Sequence, residues 1–278
     1  MAEEEDRRPR ELLAERAFTR LGSARDADGA IAPEKIAEVA ETVARQVRLA
    51  GELGADRVRV VATSAVRDAS NGDALARAIA AACGLPVEVL TGEEEARLSF
   101  AGAIGMLREP PLGELGVVDV GGGSTELAVG TIADGVTWSV SLPLGSSVAT
   151  HSDLPHDPPS VDELTRLRAR IGAIFDAVQA PRPTIAYAVG GSATSLQQLV
   201  GSVLGPHALA LGLQALVGHP SAEVARQLGL HAERVRLLPA GILLLDAAAR
   251  TLRAPLQMGG GGLREGVVLE ELRRAARA

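Results

Sequence analysis

The residues with the clearest capacity for chemistry lie in one stretch, Gly116-Val117-Val118-Asp119-Val120-Gly121-Gly122-Gly123-Ser124-Thr125-Glu126. An apolar run leads into an acid, three glycines, two hydroxyls and a second acid. Glycine has no Cβ, so the N–H groups of Gly121, Gly122 and Gly123 can turn toward one anion at close range. Ser124 and Thr125 add hydroxyl donors. Asp119 and Glu126 repel phosphate, and their place here makes sense when Mg²⁺ or a water stands between carboxylate and phosphate. The stretch therefore reads as a strand ending in a phosphate-cradling loop, with two acids placed to handle a metal. A plain tight turn explains the glycines but not the acids on either side.

Four further segments carry weaker signals of the same kind. Thr91-Gly92-Glu93-Glu94-Glu95-Ala96-Arg97 opens a helix in which Thr91 and Glu94 match a capping box, leaving Glu95 unexplained and free to serve as a general base on water. Thr63 to Asn71 follows the C-terminal end of a strand, where open α/β sheets bind ligands. Arg67 there could grip phosphate oxygens, or simply pair with Asp68 while Asn71 caps the next helix. Val189-Gly190-Gly191-Ser192 is a second strand-to-glycine-turn-to-helix junction, suited to an anion through free amides at Gly190, Gly191 and Ser192, or to close packing. Gly259 to Gly262 is a hinge or another phosphate contact. The five histidines show no metal-ligand spacing.

The elements that must position these residues follow from periodicity. Pro33 opens a helix to about Leu53 with apolar residues at helical spacing. Val58–Ala62, Asp73–Cys83 and Val87–Leu90 read as strand, helix and strand, a βαβ unit with parallel pairing. A helix from about Gly92 to Leu107 ends before Glu109-Pro110-Pro111-Leu112-Gly113, the expected domain boundary, giving domains 1–113 and 114–278. Leu115–Val120, Thr125–Gly130 and Val136–Leu142 read as an antiparallel meander with a hairpin at Asp134-Gly135. Helix over Val161–Val178, strand over Ile185–Val189 and mostly helix follow. Glu11–Thr19 is short and ambiguous between strand and helix, and Ala27-Asp28-Gly29 signals a turn.

Composition narrows the function. The 278 residues are 46% hydrophobic, enough for a substantial core, but only 2% aromatic. Stacking platforms for bases are therefore scarce, and the formal net charge of −7 argues against a basic surface for nucleic acid. Cys83 is the only cysteine, which excludes an intrachain disulfide and suits a reducing, cytoplasmic setting. The charged start, Met1 to Arg10, does not read as a signal peptide, and no apolar run is long enough for a transmembrane helix.

Taken together, Thr63–Asn71, Gly92–Leu98, Val117–Glu126, Val189–Leu196 and Gly262–Gly266 resemble, in order, the motifs of the exopolyphosphatase and guanosine pentaphosphate phosphohydrolase (Ppx/GppA) family. The resemblance covers nearly the whole chain from about Phe18. It implies an α/β, actin-like ATPase (ribonuclease H-like) fold of two domains, with the C-terminal helix able to pack back on the first. It also implies Mg²⁺-assisted hydrolysis of a terminal phosphoanhydride in inorganic polyphosphate or guanosine pentaphosphate. By that resemblance Glu95 matches the catalytic base, Asp119 and Glu126 the acids that hold metal and orient water, Gly121 to Thr125 the phosphate loop, and Arg67 an arginine of the cleft. Homodimers are compatible with it.

In one respect the chain departs from the family pattern. The family opens with a strand and a first phosphate loop of the Asp-x-Gly-Ser-Asn-Ser type, and no such segment occurs here. Arg10–Leu21 resembles the family's third strand, so the first domain is expected to be N-terminally truncated, with a bare sheet edge. A start placed downstream of the true one accounts for this better than degeneration, because the other motifs are intact. The competing expectations are a binding protein for polyphosphate or the alarmone that has lost the loop and does not cleave, and an ATP-dependent kinase on the same fold.

Overall fold

The computed structural model describes residues 2–5, 8–21, 24–26 and 28–276. Met1, Asp6 and Arg7 of the charged start, and Ala27 of the expected turn, lie outside them. The chain forms two compact units, one up to Glu94 and one from Glu95 onward.

The first unit contains β1 (Ala2–Glu5), β2 (Arg8–Glu11), α1 (Pro33–Glu52), β3 (Val60–Ala62), α2 (Ser64–Arg67), α3 (Gly72–Cys83), β4 (Val87–Val89) and the first turn of α4 (Gly92–Gly105). Proline at the start of α1 supplies a helical φ and lacks an N–H that would be unpaired there anyway. The apolar stripe of α1, with Val39 and Ala40, packs on Leu75 and Ile79 of α3 and on Ile31 and Val66. β3 and β4 pair in parallel around α3, as the βαβ reading expects. Gly29 adopts φ 76 and donates its N–H to Asp26, forming the turn signalled there.

Two expectations are corrected here. Arg10–Leu21 is not a strand over its length: β2 ends at Glu11, paired antiparallel with β1, and residues 13–20 have neither helix nor strand. No strand forms a ladder with residues 13–20 among the described residues. Asn71 occupies the cap position of α3 without capping it. Its amide instead bridges the Ile31 backbone, accepting from N–H and donating to C=O at 2.8 Å each.

The second unit holds the rest of α4, then β5 (Leu115–Val120), β6 (Thr125–Thr131), β7 (Gly135–Leu142), α5 (Ser146–Asp153), α6 (Val161–Phe175), β8 (Ile185–Val189), α7 (Gly190–Val200), α8 (Pro206–Val217), α9 (Ser221–Leu228), α10 (Ala232–Leu252), β9 (Leu256–Met258) and α11 (Leu263–Ala275). Its sheet has the order β7-β6-β5-β8-β9. The meander β5–β6–β7 is antiparallel, as expected, and β5, β8 and β9 run parallel. The strand β9 falls in a stretch read from the sequence as mostly helix. One face of the sheet, with Val118, Val120, Leu127 and Val129, is buried under the helices around α10. The other, with Leu115, Val117 and Ala128, is covered by Ala96, Phe100, Ala103 and Ile104 of α4. That packing is why the units divide inside α4 and not at Glu109–Gly113: from Glu95 on, α4 belongs to the core of the second unit. No helix among the described residues is long and apolar enough to cross a membrane.

α11 also belongs to the second unit, seated on α4 through glycines. A Cβ at Gly266 would collide with the Leu98 carbonyl, and one at Gly102 with the Gly262 carbonyl. Gly172 of α6, by contrast, has open space around its missing Cβ. Gly266→Ala should therefore lower unfolding free energy by roughly 1–3 kcal/mol or more, whereas Gly172→Ala should raise it by up to about 1 kcal/mol. Paired denaturant melts check this, and equal effects would show that the α4–α11 contact can relax.

Candidate active site

The turn from β5 to β6 sets the register that makes the site. Asp119 lies directly opposite Glu126, Ser141 of β7 opposite Glu126, and Val189 of β8 opposite Asp119. One row across four strands thus carries Ser141, Glu126, Asp119 and Val189. Alternation along the strands puts Asp119 on the face of Leu115 and Val117, and Glu126 on the face of Ala128, which is the face under α4. Glu95 of α4 is only 5% exposed, Asp119 9% and Glu126 4%.

Like charges directly opposite one another on a sheet repel, and burial removes the water that would screen them. Burial drives the Asp119 carboxyl above its ordinary range, a hydrogen bond from Ser99 opposes the rise, and the charge of Glu265 adds to it. Glu126 is pushed up to about 8, first by burial and then by Glu95, with smaller help from Asp119 and opposition from the Ser124 and Ser141 hydroxyls. The Ser99 Oγ donates to Asp119 Oδ2 at 2.6 Å, and the Ser141 Oγ to Glu126 Oε1 at 2.7 Å.

This environment fits a hard cation. The donors are carboxylate oxygens, and their mutual repulsion is what a divalent ion would relieve. Among the described residues no group of three or more His, Cys, Asp or Glu is arranged to hold a metal. Asp119 and Glu126 would thus supply two ligands, leaving the others to water and phosphate oxygens, which is the usual manner of Mg²⁺.

The glycine loop is oriented by α5. Ser146 and Ser147 donate their N–H groups to the carbonyls of Gly121 and Gly122 at 2.9 Å each, and Val148 donates to Gly122 at 3.1 Å. Gly121 N–H closes the turn onto the Ser124 carbonyl at 3.0 Å. With its carbonyls held by the helix, the loop leaves the amides of Gly122 and Gly123 without a protein acceptor among the described residues. Gly145 permits this approach, since a Cβ there would lie 2.6 Å from the Gly123 nitrogen. The Thr125 hydroxyl expected to face the anion does not: Thr125 is 0% exposed and donates to the Leu144 carbonyl at 2.7 Å. Its place in the strand row turns it to the core. Ser124 is buried and directed to Glu126.

The second glycine junction lies against the first. Gly190 has φ 84, and a Cβ on it would collide with Asp119 Oδ1. Ser192 of α7 and Ser146 of α5 both abut Gly241 of α10, whose absent Cβ would sit 2.8 Å from one Cβ and 3.9 Å from the other. The Arg234 guanidinium lies over Gly191, with Cζ 2.8 Å from where a Cβ would stand. A cation therefore stands beside the N-terminus of α7. Arg67 belongs to the first unit, where its Nη1 donates to the Leu90 carbonyl at 2.7 Å and its Nε lies 3.4 Å from Asp68. Thr91 and Glu94 form the expected reciprocal cap, with Thr91 N–H donating to Glu94 at 2.8 Å and Glu94 N–H to Thr91 Oγ1 at 3.2 Å.

Sequence reasoning missed Ser99, Ser141, Gly145, Ser146, Arg234 and Glu265. Ser141 could have been found by extending the hairpin register from Asp134-Gly135. Arg234, inside Glu233-Arg234-Val235-Arg236, looks like any charged helix start.

The model of the Ppx/GppA phosphatase family matches residues 1–275. Exopolyphosphatase 2 of Mycobacterium tuberculosis is 33% identical over 261 residues, spanning 85% of this chain and 80% of that one. Exopolyphosphatase 1 of Mycobacterium bovis is 30% identical over 281 residues, spanning 95% and 81%. Among solved structures, a PPX-GPPA enzyme of Aquifex aeolicus matches with a TM-score of 0.76 at 28% identity, over 97% of this chain and 93% of that one. An exopolyphosphatase from Cytophaga hutchinsonii shares the fold, with a TM-score of 0.85 at 22% identity over 98% and 93%. With its α/β, actin-like fold and a family match along almost its whole length, the chain belongs to the Ppx/GppA phosphatase family.

Proposed function

We propose that this protein is a phosphoanhydride hydrolase that releases the terminal phosphate of inorganic polyphosphate or guanosine pentaphosphate. The observation that carries the reading is the clustering of three buried carboxylates, Glu95, Asp119 and Glu126, next to a loop whose Gly122 and Gly123 amides have no protein acceptor among the described residues. The exopolyphosphatase relatives favour polyphosphate as the first substrate to test.

In this reading the amides of Gly122 and Gly123 bind oxygens of the terminal phosphate, and Arg234 with the α7 terminus adds positive potential. Asp119 and Glu126 hold Mg²⁺, which when bound offsets charge on the transferring group. Glu95 orients a water and accepts its proton as the oxygen attacks phosphorus in line, and the phosphoanhydride oxygen leaves on the far side. Most of the acceleration comes from positioning and fixed charge, since phosphoryl transfer leaves little covalent work to the protein.

Phosphate release from long-chain polyphosphate with Mg²⁺ tests this. Glu95→Ala should lower turnover by at least about 100-fold while leaving the melting temperature nearly unchanged; equal turnover would remove Glu95 from the chemistry, and binding without turnover in the parent protein would favour a sensor. A second expectation concerns Glu126. Its carboxyl titrates near 8 when folded against 4.5 ordinarily, so across that window the unfolded chain ionises while the folded one keeps its proton. Stability should fall as pH rises from 4.5 to about 8 and then level. In buffer free of divalent ions Glu126→Gln should flatten that decline; an unaltered pH profile of melting temperature would show that Glu126 is not the group responsible.

A further inference from the structure

We propose that Ser99 is a positioning residue that fixes the Asp119 carboxylate for cation binding and locks it to the helix that carries Glu95. The inference rests on the reading above, in which Asp119 helps hold Mg²⁺.

Ser99 follows Glu95 by one helical turn, so both side chains leave α4 on the same side. It is 1% exposed, and apart from Glu95 its neighbours on the buried face of the helix, Ala96, Phe100 and Ala103, are apolar. A hydroxyl is costly in such surroundings unless it is hydrogen-bonded. Its bond to Asp119 Oδ2, at 2.6 Å, supplies the partner. The other oxygen, Oδ1, is packed against Gly190 so closely that a Cβ there would collide with it. The carboxylate is thus confined at both oxygens: Ser99 donates to Oδ2, and Oδ1 packs against Gly190 at the start of α7.

The torsion that rotates a carboxylate about its last bond is broad, so without such a grip Asp119 could present its oxygens in many orientations. Serine at this position removes that freedom from one side and glycine 190 from the other. The same bond connects α4 to β5, and with them the base to the acid. Truncation to alanine would leave Oδ2 buried without its donor and release the rotation. Threonine keeps the hydroxyl, and cysteine keeps the volume with a weaker donor.

The experiment compares the parent protein with Ser99→Ala, Ser99→Thr and Ser99→Cys. Mg²⁺ is titrated against melting temperature without substrate, and steady-state kinetics on polyphosphate are measured separately. Loss of a group that orients a metal ligand typically lowers metal affinity or activity by about 10–100-fold. Ser99→Ala should therefore raise the Mg²⁺ concentration for half-maximal stabilisation by about tenfold or more and lower kcat comparably, with little change in KM for polyphosphate. Ser99→Thr should restore most of both, and Ser99→Cys should fall between. If Ser99→Ala lowers the melting temperature equally with and without Mg²⁺, and leaves the Mg²⁺ titration and kcat as in the parent, Ser99 is only a stabilising contact and the inference is overturned. If Ser99→Ala does not fold, Ser99→Cys decides by the same two readings. A parent protein that neither gains stability from Mg²⁺ nor releases phosphate would overturn the underlying reading, an outcome distinct from a parent that responds while its Ser99 variants match it.

Discussion

Carboxylates kept out of water beside one another repel, and the second unit of this protein is organised around holding three of them in that condition. The repulsion is built in by backbone register. A four-residue connection between β5 and β6 forces Asp119 and Glu126 to be cross-strand neighbours, and strand alternation turns both toward the face that α4 covers with Glu95. Hydroxyls of Ser99, Ser124 and Ser141 relieve part of the cost, and Glu126 relieves more by keeping its proton to about pH 8. None of these devices supplies a positive charge. Strongly perturbed acids of this kind cluster where chemistry is done.

Holding such a cluster together requires close backbone approach, which explains where the glycines sit. Gly102 and Gly266 let α11 lie directly on α4, so the helix bearing Glu95 and Ser99 is clamped from behind. Gly145 lets α5 reach the glycine loop and take its carbonyls. Gly190 makes room for Asp119 itself. The glycines outside the loop therefore act on the site through geometry. They set distances between the groups that carry charge, and a methyl at any of them would be felt at the carboxylates before it was felt by a ligand.

Much of this was legible in the sequence, for identifiable reasons. The meander was readable because Asp134-Gly135 fixes a hairpin and the flanking residues alternate, and Asp119 and Glu126 stood out because acids seldom flank a glycine loop without purpose. The segment at 10–21 was expected to be a strand from its resemblance to the family's third strand, yet Leu12 and Leu13 are each 41% exposed and Phe18 38%. Burial there depends on partners that sequence pattern does not name. The β9 strand escaped notice because three residues, Leu256–Met258, are too few to show a period. Thr125 was misassigned for a different reason: a hydroxyl beside a glycine loop looks like a phosphate donor, but the strand begins at that residue and alternation sends its side chain inward. Ser99 and Arg234 were invisible because their roles arise from tertiary neighbours, Asp119 and Gly191, far away along the chain.

The division of the chain inside α4 bears on how the chemistry is secured. The first turn of the helix, with its Thr91–Glu94 cap, belongs to the first unit, while Glu95 and everything after it belongs to the second. Asp119 and Glu126 are consequently fixed by contacts internal to one compact unit, through the strand register and the Ser99–Asp119 bond. Arg67 is held within the other unit by the Leu90 carbonyl. The spacing of Asp119 to Glu126 is then a property of a single packed core, which resists sub-ångström drift. A mechanism that depends chiefly on positioning gains most from that placement. The hydroxyl that ties α4 to β5 comes from the helix turn directly after Glu95, so one hydrogen bond links Asp119 to the helix that carries Glu95.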